Sequence, residues 1–102
     1  MVYKIKYSKL AIKTLDQNLL YLINNWSENS ALKFINKVGE IVFLIAKNPK
    51  LYALWNSKLN IRKVVIVSQI TMFYKINENT IDIVLFWNNY QNLNKLNELL
   101  NI

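Results

Sequence analysis

The hydrophobic pattern of this chain changes once, near residue 50, and that change limits the folds open to it. Before this point apolar residues recur at three- and four-residue intervals, the period of an amphipathic helix. After it, three segments are rich in Val, Ile, Phe and Tyr, which is typical of strands. Because helical and strand patterns are segregated along the chain, the sequence predicts an α+β fold.

The first half predicts one strand followed by a helical hairpin. Residues 2–7 alternate, with Lys4 and Lys6 on the side opposite to three apolar or aromatic residues. Ser8 is a suitable N-cap for a helix running to about Asn25, and Ser27 can cap a second helix. The second helix should end at Asn48-Pro49, since proline disfavours helix in the residue before it. The apolar stripe of the first helix comprises Ala11, Leu15, Leu19, Leu22 and Trp26, and that of the second Ala31, Phe34, Ile35, Val38, Ile41, Val42 and Ile45.

The second half predicts a meander of strands. Residues 51–55 form a short strand, and longer strands cover residues 61–68, 71–76 and 80–87. Residues 77–79, Asn-Glu-Asn, supply a turn, whereas residues 68–70 make a tight connection with no glycine to adopt positive φ. Leucines at 93, 96, 99 and 100 predict a short terminal helix.

These elements predict one domain, residues 1–102, in which the helical hairpin packs on one face of a mainly antiparallel sheet of four to five strands. The order is β-α-α-β-β-β-β with a short C-terminal helix. A content of 53% hydrophobic residues is enough for a core without disulfide bonds. Gly39 lies inside the second helix, where it costs about 0.5–1 kcal/mol relative to alanine. It indicates either close approach by the first helix or a tolerated weak point.

Two absent residue types restrict the chemistry. The chain has no cysteine, so disulfides and thiolate metal sites are excluded, and this usage fits the reducing cytoplasm. It has no histidine, which removes the usual general base at neutral pH and every zinc motif built on histidine. Any catalysis must use Lys, Arg, Tyr or carboxylates, and we expect no metal and no cofactor.

The chain carries a formal net charge of +7, with 13 Lys and Arg against 6 Asp and Glu. This charge favours a polyanion or an acidic protein as partner, although it also serves solubility alone. Lysines interrupt the opening segment, so neither a signal peptide nor a membrane span is predicted, and we expect a cytoplasmic protein. The one arginine, Arg62, stands out.

Strand alternation places Arg62 with Val64 and Ile66 on one side of its strand, and Lys63 on the other. If the face of the sheet free of helices carries Lys4, Lys6 and Arg62, a basic concave surface results. Its rim would be lined by Lys58 and by residues 87–91. The alternative is a set of solvated charges on an exposed sheet.

The order and spacing of several segments resemble the RelE/ParE superfamily of type II toxins. They are YKIKYSKLAIKTL (3–15), AKNPKLY (46–52), NIRKVVI (60–66) and ITMFYKINENTIDIVLFWNNYQN (70–92), which together span nearly the whole chain. The resemblance implies the toxin of a bacterial toxin–antitoxin pair, a class linked to growth arrest and plasmid stabilisation.

The superfamily implies two mechanisms. RelE-like members cut messenger RNA on the ribosome by attack of the 2′-hydroxyl on the adjacent phosphate, and this is the first expectation. On that reading Arg62 clamps the phosphate and Tyr90 transfers a proton or stacks on a base, which makes them the candidate catalytic residues. The residues expected to bind RNA or another target are Lys4, Lys6, Lys58, Lys63, Trp87 and Gln91.

ParE-like members instead poison DNA gyrase without catalytic residues of their own. The one arginine, and the poor basicity of a phenol with a pKa near 10, weaken the nuclease reading. In a further alternative, Trp87 and Tyr90 only seal the sheet edge, and Lys58 and Lys63 are solvated. Arg62 then pairs with Glu78, Asp82 or Glu98. The third hypothesis is a protein-binding module or inactive remnant. All three imply an antitoxin partner that contacts exposed apolar residues of the first helix, Leu20 and Ile23.

Overall fold

The chain folds in the predicted order, with two helices inserted after the first strand and four strands following them. The computed structural model describes residues 2–101, so positions 1 and 102 of the predicted domain lie outside this range. The elements are β1 (Lys4–Tyr7), α1 (Lys9–Asn25), α2 (Glu28–Lys47), β2 (Leu54–Asn56), β3 (Ile61–Val67), β4 (Ile70–Asn77), β5 (Thr80–Asn88) and α3 (Leu93–Leu100). The predicted α+β class is confirmed.

Serine caps begin both long helices, as predicted. The Ser8 hydroxyl accepts a hydrogen bond from the Ala11 amide at 2.9 Å and donates one to the Val84 carbonyl, which ties the start of α1 to β5. The Ser27 hydroxyl accepts from the Ser30 amide at 3.0 Å. Among the strands, β2 is shorter than predicted and begins at Leu54, after the turn and bend that follow α2.

The five strands form one mixed sheet in the order β1-β5-β4-β3-β2. Neighbouring strands are antiparallel except β1, which pairs in parallel with β5. The prediction of a mainly antiparallel sheet is therefore confirmed. The helical hairpin carries the chain across the sheet from β1 to β2 at the opposite edge. The meander then returns strand by strand, so that β5 lies beside β1.

Apolar residues cover both faces of the sheet. On the inner face, α1 and α2 bury a core that includes Phe34, Met72 and Phe86, with the Phe34 and Phe86 rings edge to face at 5.9 Å. On the outer face, Leu96 and Leu100 of α3 cover a smaller cluster with Phe73, Leu85 and Trp87. The face opposite the hairpin, predicted to be free of helices, is thus half covered.

The glycine-free turn between β3 and β4 forms without a left-handed residue. Within residues 2–101 only Asn60, Glu78 and Asn101 adopt positive φ. The β3–β4 ladder instead shifts register between Val65 and Val67, so that Val67 pairs with Ile70 across two turn residues. The two strands are thus joined by a two-residue turn next to an irregularity in the ladder, without a glycine.

The buried stripe of α1 is partly polar, which differs from the prediction. Ala11 and Leu22 are buried as predicted, but Thr14 and Asn18 lie between them, and Trp26 is 54% exposed. The Thr14 hydroxyl accepts from the Phe86 amide at 2.9 Å, and the Asn18 side-chain amide donates to the Phe86 carbonyl at 3.0 Å. Because β1 ends at Tyr7, these two side chains pair with the edge of β5 beyond it.

The surface of α2 at Gly39 faces open space and not another element. A Cβ atom placed on Gly39 meets nothing within 4 Å. The predicted close approach by α1 is therefore wrong, and the glycine is an exposed position of α2. None of the three helices in the described part of the chain is long and apolar enough to cross a membrane.

Candidate target-binding surface

We call the half of the outer face next to the turn between β4 and β5 the lower half, and this half is basic. Since Ile5 of β1 belongs to the inner core, alternation directs Lys4 and Lys6 to the outer face, where both are exposed. Lys75 of β4 and Lys63 of β3 share this face, because Ile61 and Phe73 beside them belong to the outer cluster. We call Lys4, Lys6, Lys63 and Lys75 the basic face.

Asp82 lies in the middle of the basic face. Its neighbours in register are Lys6 on β1 and Lys75 on β4. Its carboxylate accepts hydrogen bonds from the Asn77 amide and, at 3.3 Å, from the Thr80 hydroxyl. It forms no ion pair, as the one salt bridge found within residues 2–101 joins Lys37 and Glu40 of α2 at 3.6 Å. The amide and hydroxyl hold this carboxylate, leaving the lysine ammonium groups to solvent or a partner.

The other, upper half of the outer face is apolar and is covered by α3. Trp87, predicted to stack on a base, is only 4% exposed and lies under Leu96 and Leu100. Trp55 packs edge to face on Phe73 at 5.0 Å. The prediction for Trp87 is corrected, since α3 covers the indole that β5 directs to this face.

Arg62 faces the opposite side of the sheet. It is paired with Tyr74 of the inner core, and its Nη1 donates to the Tyr52 carbonyl at 2.6 Å. Its Nε is buried and has no hydrogen-bond partner. The proposed basic surface of Lys4, Lys6 and Arg62 therefore does not form, nor does any pairing of Arg62 with an acidic residue. Lys63, the next residue, takes the outward position.

Tyr74 completes the surroundings of Arg62. Its hydroxyl donates to the Pro49 carbonyl at 2.9 Å, so Arg62 and Tyr74 together hold the loop between α2 and β2. Burial raises the pKa of the Tyr74 phenol above its ordinary value, and the Arg62 charge opposes part of this rise. The arrangement binds backbone carbonyls of the chain itself.

Tyr90 and Gln91 lie at the other end of the sheet. Arg62 is in register with Tyr74 and hence with Ile83, whereas Tyr90 follows the end of β5 at Asn88. The five steps along the chain from Ile83 to Asn88 span about 16 Å of the strand. The structure thus separates the two candidate catalytic residues, Arg62 and Tyr90. Tyr90 is 66% exposed, and its amide is held by the Asn88 side chain.

A small polar hollow borders that end of the sheet. It measures about 110 Å³, and Gln91, Asn18 and Lys95 are among the residues that line it. The other predicted contact residues are dispersed: Lys58 is exposed in the turn between β2 and β3, and Leu20 and Ile23 are exposed on α1 at 60% and 45%. The described residues contain no group of three acidic, cysteine or histidine side chains that would hold a metal ion.

Sequence reasoning missed two features of this surface. Lys75 was not predicted as a member, although alternation along ITMFYKIN gives its side once the apolar positions are assigned. The polar contact of Thr14 and Asn18 with β5 had no signal, because both residues interrupt an apolar stripe without showing which backbone groups they meet. The basic face presents four lysines around Asp82, which suits binding to an anionic partner.

Comparisons with known proteins agree on the architecture. No protein-family model matches the sequence, and no curated protein matches it. A chain of the chromosomal ParDE TA system from P. aeruginosa matches 85% of this chain and 96% of its own, with a TM-score of 0.70 and 13% identity. The YoeB dimer from Staphylococcus aureus matches 88% of this chain and 100% of its own, with a TM-score of 0.61 and 19% identity.

A third similar structure is the YoeB-YefM complex from Staphylococcus aureus, with a TM-score of 0.58 and 20% identity. It too covers 88% of this chain and 100% of that chain. The chain therefore has the fold that the resemblance to RelE/ParE toxins predicted, with two helices on a mixed five-stranded sheet and a short helix after it.

Proposed function

We propose that this chain is the toxin of a bacterial type II toxin–antitoxin system. The observation that carries the proposal is the match of almost the whole chain to a protein of a ParDE system and to YoeB. The matches cover 85% and 88% of this chain, and 96% and 100% of the two neighbours. The cytoplasm is the compartment in which such a toxin would act.

For the mechanism, we propose binding to a target rather than cleavage of RNA, with DNA gyrase as the target that a ParE-like toxin would have. The geometry argues against a cleavage site, because Arg62 donates to the Tyr52 carbonyl on the inner side of the sheet and not to a substrate phosphate. Tyr90 follows the end of β5, which lies about 16 Å further along the sheet, and Trp87 is buried. A phosphate clamp and a proton-transfer group must lie within a few ångströms of one phosphodiester.

Ribosome-dependent cleavage of messenger RNA stays the second candidate. It is favoured by the basic face, which puts Lys4, Lys6, Lys63 and Lys75 on one side of the sheet, and by the exposed phenol of Tyr90. Lysines on such a face would hold the RNA backbone, and the ribosome would supply much of the positioning.

An antitoxin is the partner that this function requires. We propose that it contacts α1 through Leu20 and Ile23, whose exposed side chains offer apolar area on the helical side of the molecule. A small acidic protein would neutralise the net charge of +7. A similar chain occurs in the heterotetrameric YoeB-YefM toxin-antitoxin complex from Staphylococcus aureus.

The test is tightly controlled expression in bacteria, with growth, protein synthesis, transcript integrity and DNA damage followed together. Gyrase poisoning predicts arrest with a DNA damage response while transcripts stay intact, and inhibition of supercoiling by purified gyrase. Cleavage predicts early loss of protein synthesis with cut transcripts, relieved by Tyr90→Phe. Absence of arrest would remove the active-toxin proposal and favour a binding module or inactive remnant.

The control variant is Lys33→Gln on α2. Lys33 is exposed on the helical side of the molecule, away from the basic face. It should leave arrest unchanged under either mechanism. Arg62→Ala is interpretable only beside a measurement of folding, because Arg62 supports the loop between α2 and β2.

A further inference from the structure

The exposed side of α2 carries a second apolar stripe that the fold does not use. It consists of Leu32, Ile35, Gly39 and Phe43, of which Leu32 and Phe43 are 62% and 60% exposed. Their spacing of three and four residues places them along one line of the helix. This α2 stripe lies apart from the buried stripe of Phe34, Val38 and Ile41.

Gly39 stands at the centre of the α2 stripe and has no role inside the chain. Glycine lowers helix stability relative to alanine, and a Cβ at this position would meet nothing within 4 Å. The other described residues of α2 bear side chains, so Gly39 makes a gap between Ile35 and Phe43. A gap of this kind permits the backbone of another helix to approach closely.

The residues on the two sides of Gly39 match each other. Ile35 lies four residues before Gly39, and Phe43 lies four residues after it. If two copies of α2 cross antiparallel at Gly39, each Ile35 meets the partner's Phe43. A contact in which the same surface serves both subunits is what a two-fold interface requires.

The charges along this side of α2 are also complementary under that pairing. Glu28 stands at the first position of the helix and Lys47 at the last, with Lys50 just beyond. Antiparallel pairing brings Glu28 of one copy to the Lys47 and Lys50 end of the other, twice by symmetry. Parallel pairing would set like charges together. The helix dipoles are likewise opposed in the antiparallel arrangement.

A hollow beside the α2 stripe offers room for the large side chain of the second copy. It measures about 330 Å³ and is lined by Leu19, Ile23, Glu28, Ala31, Leu32 and Ile35. Phe43 carries the largest exposed ring of α2, with the Lys47 ammonium 4.1 Å from its centroid. In the crossed arrangement the ring lies at Ile35, on the edge of this hollow.

We propose that the free chain forms a two-fold dimer through the α2 stripe, with the two helices antiparallel and crossing at Gly39. The proposal does not depend on the toxin function, since it rests on the apolar stripe, the glycine gap and the charges at the ends of α2. Dimerisation would cover Ile23 in part, because Ile23 lines the same hollow, and would leave Leu20 outside it.

Sedimentation equilibrium of the full chain at physiological salt tests the proposal. We expect a monomer–dimer equilibrium, and Gly39→Ala should raise the dimer Kd at least about ten-fold by blocking the close approach. The same substitution should make the monomer more resistant to urea, since alanine favours helix and nothing obstructs its Cβ. A loss of dimer together with a gain in monomer stability cannot come from misfolding.

Charge reversal gives an independent check. Glu28→Lys should weaken the dimer, and adding Lys50→Glu to it should restore the dimer, because each substitution faces the other across the two-fold axis. Lys33→Glu, on another side of α2, is the matched control and should not weaken it in this way.

A chain that stays monomeric at every concentration overturns the proposal and leaves the stripe to another partner, such as the helix of an antitoxin. A dimer that is insensitive to Gly39→Ala and to Glu28→Lys overturns it as well, because the contact must then use another surface. Neither result bears on growth arrest, which is measured separately.

Discussion

Arg62 and Tyr74 form a small structural unit at the level of single residues. Their side chains donate to the Tyr52 and Pro49 carbonyls and so hold the loop that leads from α2 into β2. A hydrogen bond from a charged donor contributes about 1.5–3 kcal/mol, although the buried Nε without a partner offsets part of this. The arginine therefore stabilises a loop instead of reaching a substrate.

Replacing Arg62 should lower stability more than replacing its neighbour. We expect Arg62→Ala to reduce the free energy of unfolding by about 1–3 kcal/mol, because the Tyr52 carbonyl loses its donor. Lys63→Ala, on the exposed outer side of the same strand, should change it by less than about 0.5 kcal/mol. Urea unfolding of both variants measures the difference, and equal small effects would contradict this role.

The Tyr74 phenol should make stability depend on pH in the alkaline range. Burial raises its pKa, so the folded chain binds this proton more tightly than the unfolded chain does. Its contribution is complete below about pH 10 and is lost as the pH rises through the folded pKa. Burial also raises the pKa of Tyr7, so this phenol contributes to the same loss of stability at alkaline pH.

Urea unfolding at a series of pH values tests this. The free energy of unfolding should fall above about pH 10 in the wild-type chain, and the fall should be smaller in Tyr74→Phe, which has no proton to lose at this position. The variant is also expected to be less stable at neutral pH, since it loses the bond to the Pro49 carbonyl. Parallel pH profiles would refute the assignment.

At the level of elements, side chains at the start of α1 and along it form hydrogen bonds with the backbone of β5. The parallel partner β1 ends at Tyr7, and from there Ser8, Thr14 and Asn18 pair with backbone groups of Val84 and Phe86. A helix thereby continues the hydrogen bonding that a strand began. This fixes the position of the hairpin along the sheet, which apolar packing alone would leave less defined.

Removing one hydroxyl from this contact should be costly. Thr14→Val keeps the shape of the side chain but leaves the Phe86 amide buried without an acceptor, and we expect a loss of about 1–3 kcal/mol. Thr14→Ser retains the hydroxyl and controls for the missing methyl group. Hydrogen exchange at the Phe86 amide should quicken in the valine variant only, and unchanged exchange would argue against the bond.

Across the whole molecule, the lysines on the two sides of the sheet have different surroundings. The outer face carries the lysines of the basic face around Asp82, and the upper half of that face is sealed by α3. On the helical side, Lys37 pairs with Glu40 and the Lys47 ammonium lies over the Phe43 ring. A polyanion should therefore prefer the outer face.

Retention on heparin tests this preference. Replacing Lys4, Lys6 and Lys75 with glutamine should lower the salt needed for elution more than replacing Lys33, Lys37 and Lys47 does. Both triple variants remove three charges, so net charge alone predicts equal shifts. Equal shifts would mean that the basic face has no special role.

The number, type and order of the elements followed from local physical chemistry. The helical period of residues 9–47, the serine caps and the proline after α2 act over a few residues, so they could be interpreted without the fold. The alternation of β1 likewise placed Lys4 and Lys6 on one side. The long strands agreed within one or two residues.

The side of the sheet on which each residue lies was decided by the tertiary structure. On β3 both sides carry apolar residues, with Val64 and Ile66 on one and Ile61 and Val65 on the other, so alternation could not say which side held Arg62. The register with β4, the docking of α3 over Trp87 and the pairing of Thr14 with Phe86 all join residues far apart in sequence. Such contacts depend on how whole elements pack, and a local pattern carries no information about them.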